Sequence, residues 1–227
     1  MIISTFRHIP WCTAAALSPD PDDFATCHRD APAQSHGLRG KKLGIVGLGN
    51  IGRQVAARCA HGFGMEVHFH DVVRVPDPVV QSLGATSHDH LGSLLAESDC
   101  VILCAPAVPR DSGARPELIT RDALGMFKRG ARFVNVSRGS LVDEAALADA
   151  LDEGHLSSVA LDVFSDEPRV DERLKEWARR GRAMLTCHNA GGTAETHAGF
   201  EELSMRNVLN ALRGGKGITP VNLQYLQ

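Results

Sequence analysis

Aromatic residues are scarce in this 227-residue sequence, at 5%, with a single tyrosine. Its 24 lysines and arginines are scattered, with no basic run and no basic patch interleaved with aromatics, so nucleic acid is excluded as the main partner. The six cysteines (12, 27, 59, 100, 104 and 187) fall without C-x-x-C spacing, and most sit in apolar segments where a free thiol acts as a small hydrophobe. A reducing compartment, the cytoplasm, is expected. No apolar run is long enough to span a bilayer. Arg7, His8 and Pro10 interrupt the first such run where the apolar stretch of a signal peptide is continuous, so no leader is expected. Internal repeats and low-complexity tracts are also missing. What remains is a globular composition: 43% apolar, formal net charge −3, enough for one full-sized core with appendages or two small domains.

From Lys41 onward, short β-branched or apolar runs alternate with helical patterns: KLGIVG, IGRQVAARCAHG, MEVHFH, HLGSLLAES, CVILCA, RDALGMFKRG, ARFVNVS, DEAALADALDEG, SSVALDV, DERLKEWARRG and AMLTC. A long helix follows, starting at Thr193 and stopping at Gly214-Gly215. The alternation predicts an α/β fold, a doubly wound parallel sheet of six or seven strands with crossover helices on both faces. Asp143 is placed to cap EAALADALDE and Thr193 to cap the last helix. Residues 18–37, rich in Pro, Asp and Ala, read as an irregular linker or arm, and residues 106–117 as a long polar loop.

Gly47, Gly49 and Gly52 form G-x-G-x-x-G directly after the strand-like LGIV and at the head of a helix, the context that identifies a dinucleotide fingerprint. Gly47 permits the tight turn, Gly49 admits a pyrophosphate to the backbone, and Gly52 lets helix and strand pack closely. The helix start, with Asn50 and Ile51, turns its unpaired N–H groups toward the phosphates. Asp71 ends the second strand, 19 residues past Gly52, where an acid binds the adenosine ribose diol. That favours NAD over NADP, whose 2′-phosphate meets like charge there. Arg74 lies close enough to soften the repulsion, so use of both stays open.

Three further polar groups follow the carboxyl ends of strands, where open α/β sheets bind ligands: Arg138 after RFVNV, Asp162 with Glu167 at the end of SSVALDV, and His188 after AMLTC. Each also has a plain structural reading, as a turn arginine, a solvated acid or a satisfied strand-end histidine. His68-x-His70 on a strand and His88-x-His90 in a loop resemble metal pairs, but neither has a third ligand near it in sequence, and no metal is expected.

LRGKKLGIVGLGNIGRQVA, VNVSRGSLVDEAALADAL, LDVFSDEP and LTCHNAGGTAET resemble, in order, the signature blocks of the D-isomer-specific 2-hydroxyacid dehydrogenases, over a stretch from about Leu38 to the C-terminus. HNAGGT is similar to fungal members related to D-mandelate dehydrogenase. The resemblance implies a dinucleotide-binding domain over 38–192, with 1–37 a remnant of the interdomain helix and arm, and 193–227 a helix and tail, ending in TPVN, returning to a substrate domain. It implies that Arg138 grips the carboxylate and carbonyl of a 2-oxo acid, that His188 exchanges the proton, and that Glu167 pairs with His188. Asp162 is implied to accept a hydrogen bond from the nicotinamide carboxamide, and Ala105, Pro106, Val136 and Ser137 to line the dinucleotide. The residue types suit these roles: arginine meets a carboxylate with a planar fork, and imidazole titrates near neutrality.

By the same resemblance, the N-terminal half of the family's substrate domain is not in this sequence, and apolar faces of the first helix and of GFEELSMRNVLNAL are expected to lose their cover. Three functions stay open: an NAD-dependent reductase of 2-oxo acids, a dinucleotide-sensing scaffold like the family's corepressor relatives, and an NAD-binding fragment without catalysis. The expected partners are a small 2-oxo or 2-hydroxy acid and, through the dinucleotide domain, a second copy of the chain; neither nucleic acid nor membrane is expected.

Overall fold

Strand residues that are apolar in both alternating sets need cover on both sides, and in a chain that alternates strand with helix the cover comes from crossover helices. The structure, a computed structural model, describes residues 1–107 and 117–220 in this way. Residues 108–116 of the expected polar loop, and Val221 and Asn222 of the closing TPVN, lie outside the described residues. In chain order the elements are α1 (Ile2–Arg7), α2 (Ile9–Leu17), α3 (Pro21–Gln34), β1 (Lys42–Val46), α4 (Asn50–Ala57), β2 (Glu66–His70), α5 (Asp77–Leu83), β3 (Thr86–Ser87), α6 (Leu91–Glu97) and β4 (Cys100–Leu103). They continue with α7 (Arg121–Gly125), β5 (Ala131–Asn135), α8 (Glu144–Asp152), β6 (Leu156–Leu161), α9 (Glu172–Arg179), β7 (Ala183–Leu185) and α10 (Ala194–Leu212). The chain divides into two units, Met1–Cys187 and His188–Gln227.

In the first unit the seven strands form one parallel sheet in the order β3-β2-β1-β4-β5-β6-β7. The chain winds outward from β1 through β2 to β3, then crosses back to start again at β4. Side chains alternate as the pleat requires: Leu43 and Ile45 of β1, Cys100 and Ile102 of β4, Val134 of β5 and Ala160 of β6 share one buried cluster. Val101 and Leu103, Phe133, and Val159 and Leu161 join the cluster on the other face with Leu94 and Leu95 of α6 and Leu147 and Leu151 of α8. The thiols follow the expected pattern. Cys27, Cys59 and Cys100 are buried, and burial pushes the Cys100 and Cys104 thiols up to about 12, so neither is a thiolate at neutral pH. Asp143 caps α8 by accepting from the Ala146 N–H at 2.8 Å, as expected.

The first 34 residues differ from expectation in three respects. The remnant of the interdomain helix expected within residues 1–37 is two helices, α1 and α2, joined at His8, whose φ of 48° lies in the left-handed region. Pro10 accounts for the break: it lacks an N–H, and its ring would collide with the carbonyl four residues back if the helix ran on. Residues 21–34, read as irregular, form α3, because Asp20 caps the helix by accepting from Asp22 N, Pro21 sits in its first turn, and Cys27 and Ala31 give it a buried stripe.

The first helix is also covered rather than bare. Phe6 is fully buried in the same cluster as Leu43 and Ile45, and α1 packs on β5 and β6. The buried Arg132 of β5 ties it down: its Nε donates to the Thr5 carbonyl at 3.1 Å and its guanidinium lies 4.2 Å from the centre of the Phe6 ring. In the second unit Thr193 caps α10 by accepting from Thr196 N at 3.1 Å. Asn207 holds the following turn by accepting from the N–H groups of Ile218 and Thr219. Within the second unit no residue of α10 is buried.

Phe6→Ala should lower stability by about 3–5 kcal/mol, read from the midpoint of urea unfolding. A loss below about 1 kcal/mol would show that α1 is not part of the cooperative core of the first unit.

Candidate active site

In a doubly wound sheet the loops that leave the carboxyl ends of the two strands flanking the reversal diverge to opposite faces and open a crevice. Here those strands are β1 and β4, paired from Leu43 and Cys100 to Val46 and Leu103. At the end of β1 the chain turns through Gly47, with φ at 92°, and a Cβ there would lie 2.7 Å from the Ala105 backbone. A Cβ on Gly52, in the first turn of α4, would lie 2.2 Å from the Gly47 carbonyl oxygen. Both glycines are therefore demanded by backbone contacts, as the fingerprint predicts. At Gly49 a Cβ would meet nothing within 4 Å, and no side chain caps the helix that begins there with Asn50 and Ile51. An uncapped helix start facing open space is what a pyrophosphate needs.

Asp71 stands one residue past β2. Its carboxylate accepts from Leu48 N at 2.7 Å and from Val73 N at 2.9 Å, which holds it beside the glycine turn with lone pairs to spare for a diol. Asp71, Gly47, Gly49, Ala105 and Pro106 line one groove of about 520 Å³, together with Arg53 and Cys104. Arg74 also lines it, and its guanidinium is 3.5 Å from Asp77.

The turn after β5 carries Val136, Ser137 and Arg138. Ser137 is buried, its hydroxyl donating to the Ala105 carbonyl, which links this turn to the segment after β4. Arg138 is exposed, with Nη1 donating to the Ser137 carbonyl at 2.6 Å. The next loop fits against this turn so closely that a Cβ on Gly139 would lie 1.9 Å from the Phe164 carbonyl carbon. That loop runs from Asp162 to Glu167. Asp162 is 2% exposed and accepts from the Thr186 hydroxyl at 2.6 Å, while its own N–H donates to the Asn135 carbonyl. Glu167 accepts from Phe164 N at 2.9 Å, which folds the loop back on itself. The first unit thus gathers Gly47 to Gly52, Asp71, Ala105, Pro106, Val136 to Arg138, Asp162 and Glu167 at the carboxyl ends of its strands.

His188 opens the second unit, two residues past Thr186 in the chain. Its φ of 53° places it in the left-handed region, a conformation that a non-glycine residue adopts at a cost and that collects at functional positions.

Three supporting residues were not singled out from sequence. Asn135, 1% exposed at the end of β5, donates from Nδ2 to the Arg138 carbonyl and accepts from Ser137 N, both at 3.0 Å, so one amide shapes the whole arginine turn. Thr186 orients Asp162, and Glu144 accepts from Ser165 N at 2.6 Å. A polar amide inside the run RFVNV was the signal available for Asn135; nothing in the sequence pairs Thr186 or Glu144 with its partner.

The family profile described as D-isomer specific 2-hydroxyacid dehydrogenase, NAD binding domain, matches residues 1–190. D-3-phosphoglycerate dehydrogenase of Bacillus subtilis (strain 168) is 33% identical over 223 residues, 98% of this chain and 39% of that protein. Glyoxylate reductase of Thermococcus litoralis is 36% identical over 188 residues, 83% of this chain and 53% of that protein. Among solved structures, the holo form of Rhodotorula graminis D-mandelate dehydrogenase superposes with a TM-score of 0.91 at 34% identity, covering 98% of this chain and 63% of that one. A glyoxylate reductase from Paecilomyes thermophila superposes with a TM-score of 0.83 at 33% identity, covering 98% of this chain and 62% of that one. The chain therefore spans about two fifths to two thirds of the length of these relatives. It belongs to the family of D-isomer specific 2-hydroxyacid dehydrogenases, and residues 1–190 match their NAD-binding domain.

Proposed function

We propose that this chain carries the NAD(H) site and the acid–base residues of a reductase that interconverts a 2-oxo acid and a D-2-hydroxy acid. The observation that carries this reading is the groove between the Gly47 turn and Ala105, bounded by Asp71 at one side and tied through Ser137 to the turn that presents Arg138. The groove suits a dinucleotide on the chain's own terms, with an uncapped helix start at Gly49 for phosphate and a fixed carboxylate at Asp71 for a ribose diol. The names of the relatives, glyoxylate reductase and D-mandelate dehydrogenase among them, support the substrate class.

A bound nicotinamide supplies or accepts the hydride. The remaining roles fall to side chains. The Arg138 guanidinium binds the substrate carboxylate through its planar fork. His188 gives a proton to the carbonyl oxygen as the hydride reaches the carbon, and recovers it in the reverse direction, so a 2-oxo acid, a hydride and a proton balance a 2-hydroxy acid. Glu167 belongs to the same proposal as the acid that partners His188. Asp162, buried and oriented by Thr186, offers an acceptor to the carboxamide that fixes which ring face meets the substrate. Pairing with a second copy through the dinucleotide domain belongs to the same proposal.

NADH should bind, as followed by fluorescence titration, and be oxidised by at least one of glyoxylate, hydroxypyruvate, phenylglyoxylate or a branched 2-oxo acid; binding without turnover across that panel would overturn the catalytic reading. His188→Ala should cut turnover by about 10²–10⁴-fold while leaving NADH affinity nearly unchanged, and loss of NADH binding in that variant would sink the role given to His188. The unaltered protein should favour NADH over NADPH, with Asp71→Ala narrowing the gap. Equal affinities before the substitution would remove Asp71 from the specificity argument.

A further inference from the structure

Each of the two histidine pairs set aside in the sequence contributes one member to a cluster on the β2 side of the sheet. His68 lies in the middle of β2, His88 directly follows the two-residue edge strand β3, and Glu97 ends α6. One ligand atom from each lies within 4.8 Å of the other two, with Nδ1 of His68 and Nε2 of His88 at 2.9 Å. The third ligand that no nearby sequence position supplied thus arrives from the far end of a helix.

The hydrogen bonds around the cluster determine its protonation. The Ser93 hydroxyl donates to the His90 carbonyl at 2.8 Å, so its oxygen receives the N–H of His88 Nδ1 at 3.1 Å. His88 Nε2 is then left as a lone pair facing His68. The backbone of His88 is pinned on both sides, its N–H donating to the Phe69 carbonyl at 2.8 Å and its carbonyl accepting from His70 Nδ1 at 2.9 Å. An imidazole fixed through its second nitrogen, with a lone pair presented by the first, is the arrangement that metal-ligating histidines share.

We propose that His68, His88 and Glu97 bind a divalent cation of the zinc type, with water as the fourth ligand. Two imidazoles and one carboxylate suit Zn²⁺, Co²⁺ or Ni²⁺ and are too rich in nitrogen for Ca²⁺ or Mg²⁺. Tetrahedral zinc places its nitrogens about 3.3 Å apart, so the two rings need part by only a few tenths of an ångström from their 2.9 Å contact. The bound ion displaces a proton that His68 Nδ1 now shares with His88, and His68 carries that proton on Nε2 instead. Lys42 is the competitor, its ammonium 2.9 Å from Glu97 Oε2 in an exposed ion pair of the kind that contributes little. A cation held here clips β2, the edge strand β3 and α6 together.

The test is titration of chelator-treated full-length chain with Co²⁺, followed by displacement with Zn²⁺. One equivalent should give the visible absorption of four-coordinate cobalt with nitrogen and oxygen ligands, and the unfolding midpoint should rise with metal concentration by mass action. His88→Ala should abolish the spectrum. Glu97→Gln should weaken binding about tenfold or more, and Lys42→Gln should tighten it, since a competing cation is gone. Both Glu97 and Lys42 are at least partly exposed, so these variants should fold. No visible spectrum with the unaltered chain, a spectrum that survives His88→Ala, or thiolate-to-cobalt charge transfer pointing to the exposed Cys12 or Cys187 would each overturn the site.

Discussion

The approach of two backbones where β1 ends is the constraint on which the rest of this structure depends. β1 is the strand from which the sheet winds in both directions, and its continuation must turn under the segment after β4 before a helix can begin. At 2.7 Å from a notional Cβ to the Ala105 backbone, only a residue without a side chain fits at Gly47, and its positive φ aims the next residues across the strand ends. That single turn decides where the crevice opens. Leu48 then hands its N–H to Asp71, and Ala105 receives the Ser137 hydroxyl, so four loops from four strands are referenced to the same few backbone atoms.

A second tier of buried polar groups holds the loops farther along the sheet. Asn135 braces the Arg138 turn, and Asp162 is oriented by Thr186 from the neighbouring strand end. Buried amides and carboxylates are costly unless satisfied, and here the bonds that satisfy them are the ones that shape the turns. Arg138 and Glu167, both exposed and both proposed to act in the reaction, are thus carried on loops shaped by the residues beneath them.

The N-terminal helices illustrate how packing overrides composition. Residues 21–34 are poor in apolar side chains and hold two prolines, yet they form a helix because Asp20 caps it, Pro21 falls in the first turn where no N–H is needed, and Cys27 and Ala31 face inward, although Pro32 lies inside the helix. Phe6 and Arg132 lie 126 residues apart in the chain and meet as a ring under a guanidinium. Such a pair has no local signature.

By itself the sequence determined the alternation of strand and helix, a parallel sheet of six or seven strands, the glycine turn, Asp71 beside it, and the helix caps at Asp143 and Thr193, because each of these is set by residues within a few positions of one another or by a period of 2 or 3.6; the two-residue edge strand β3 has no such signal. The strand-end positions of Arg138, Asp162 and Glu167 were legible for the same reason. Only the tertiary structure decided the break at His8, the burial of Phe6, the bracing by Asn135, Thr186 and Glu144, and the meeting of His68 and His88 with Glu97. Those depend on which strand lies beside which and on which helix end comes to rest over them, and such contacts between distant segments are chosen by the packing of the whole sheet rather than by any stretch of the chain.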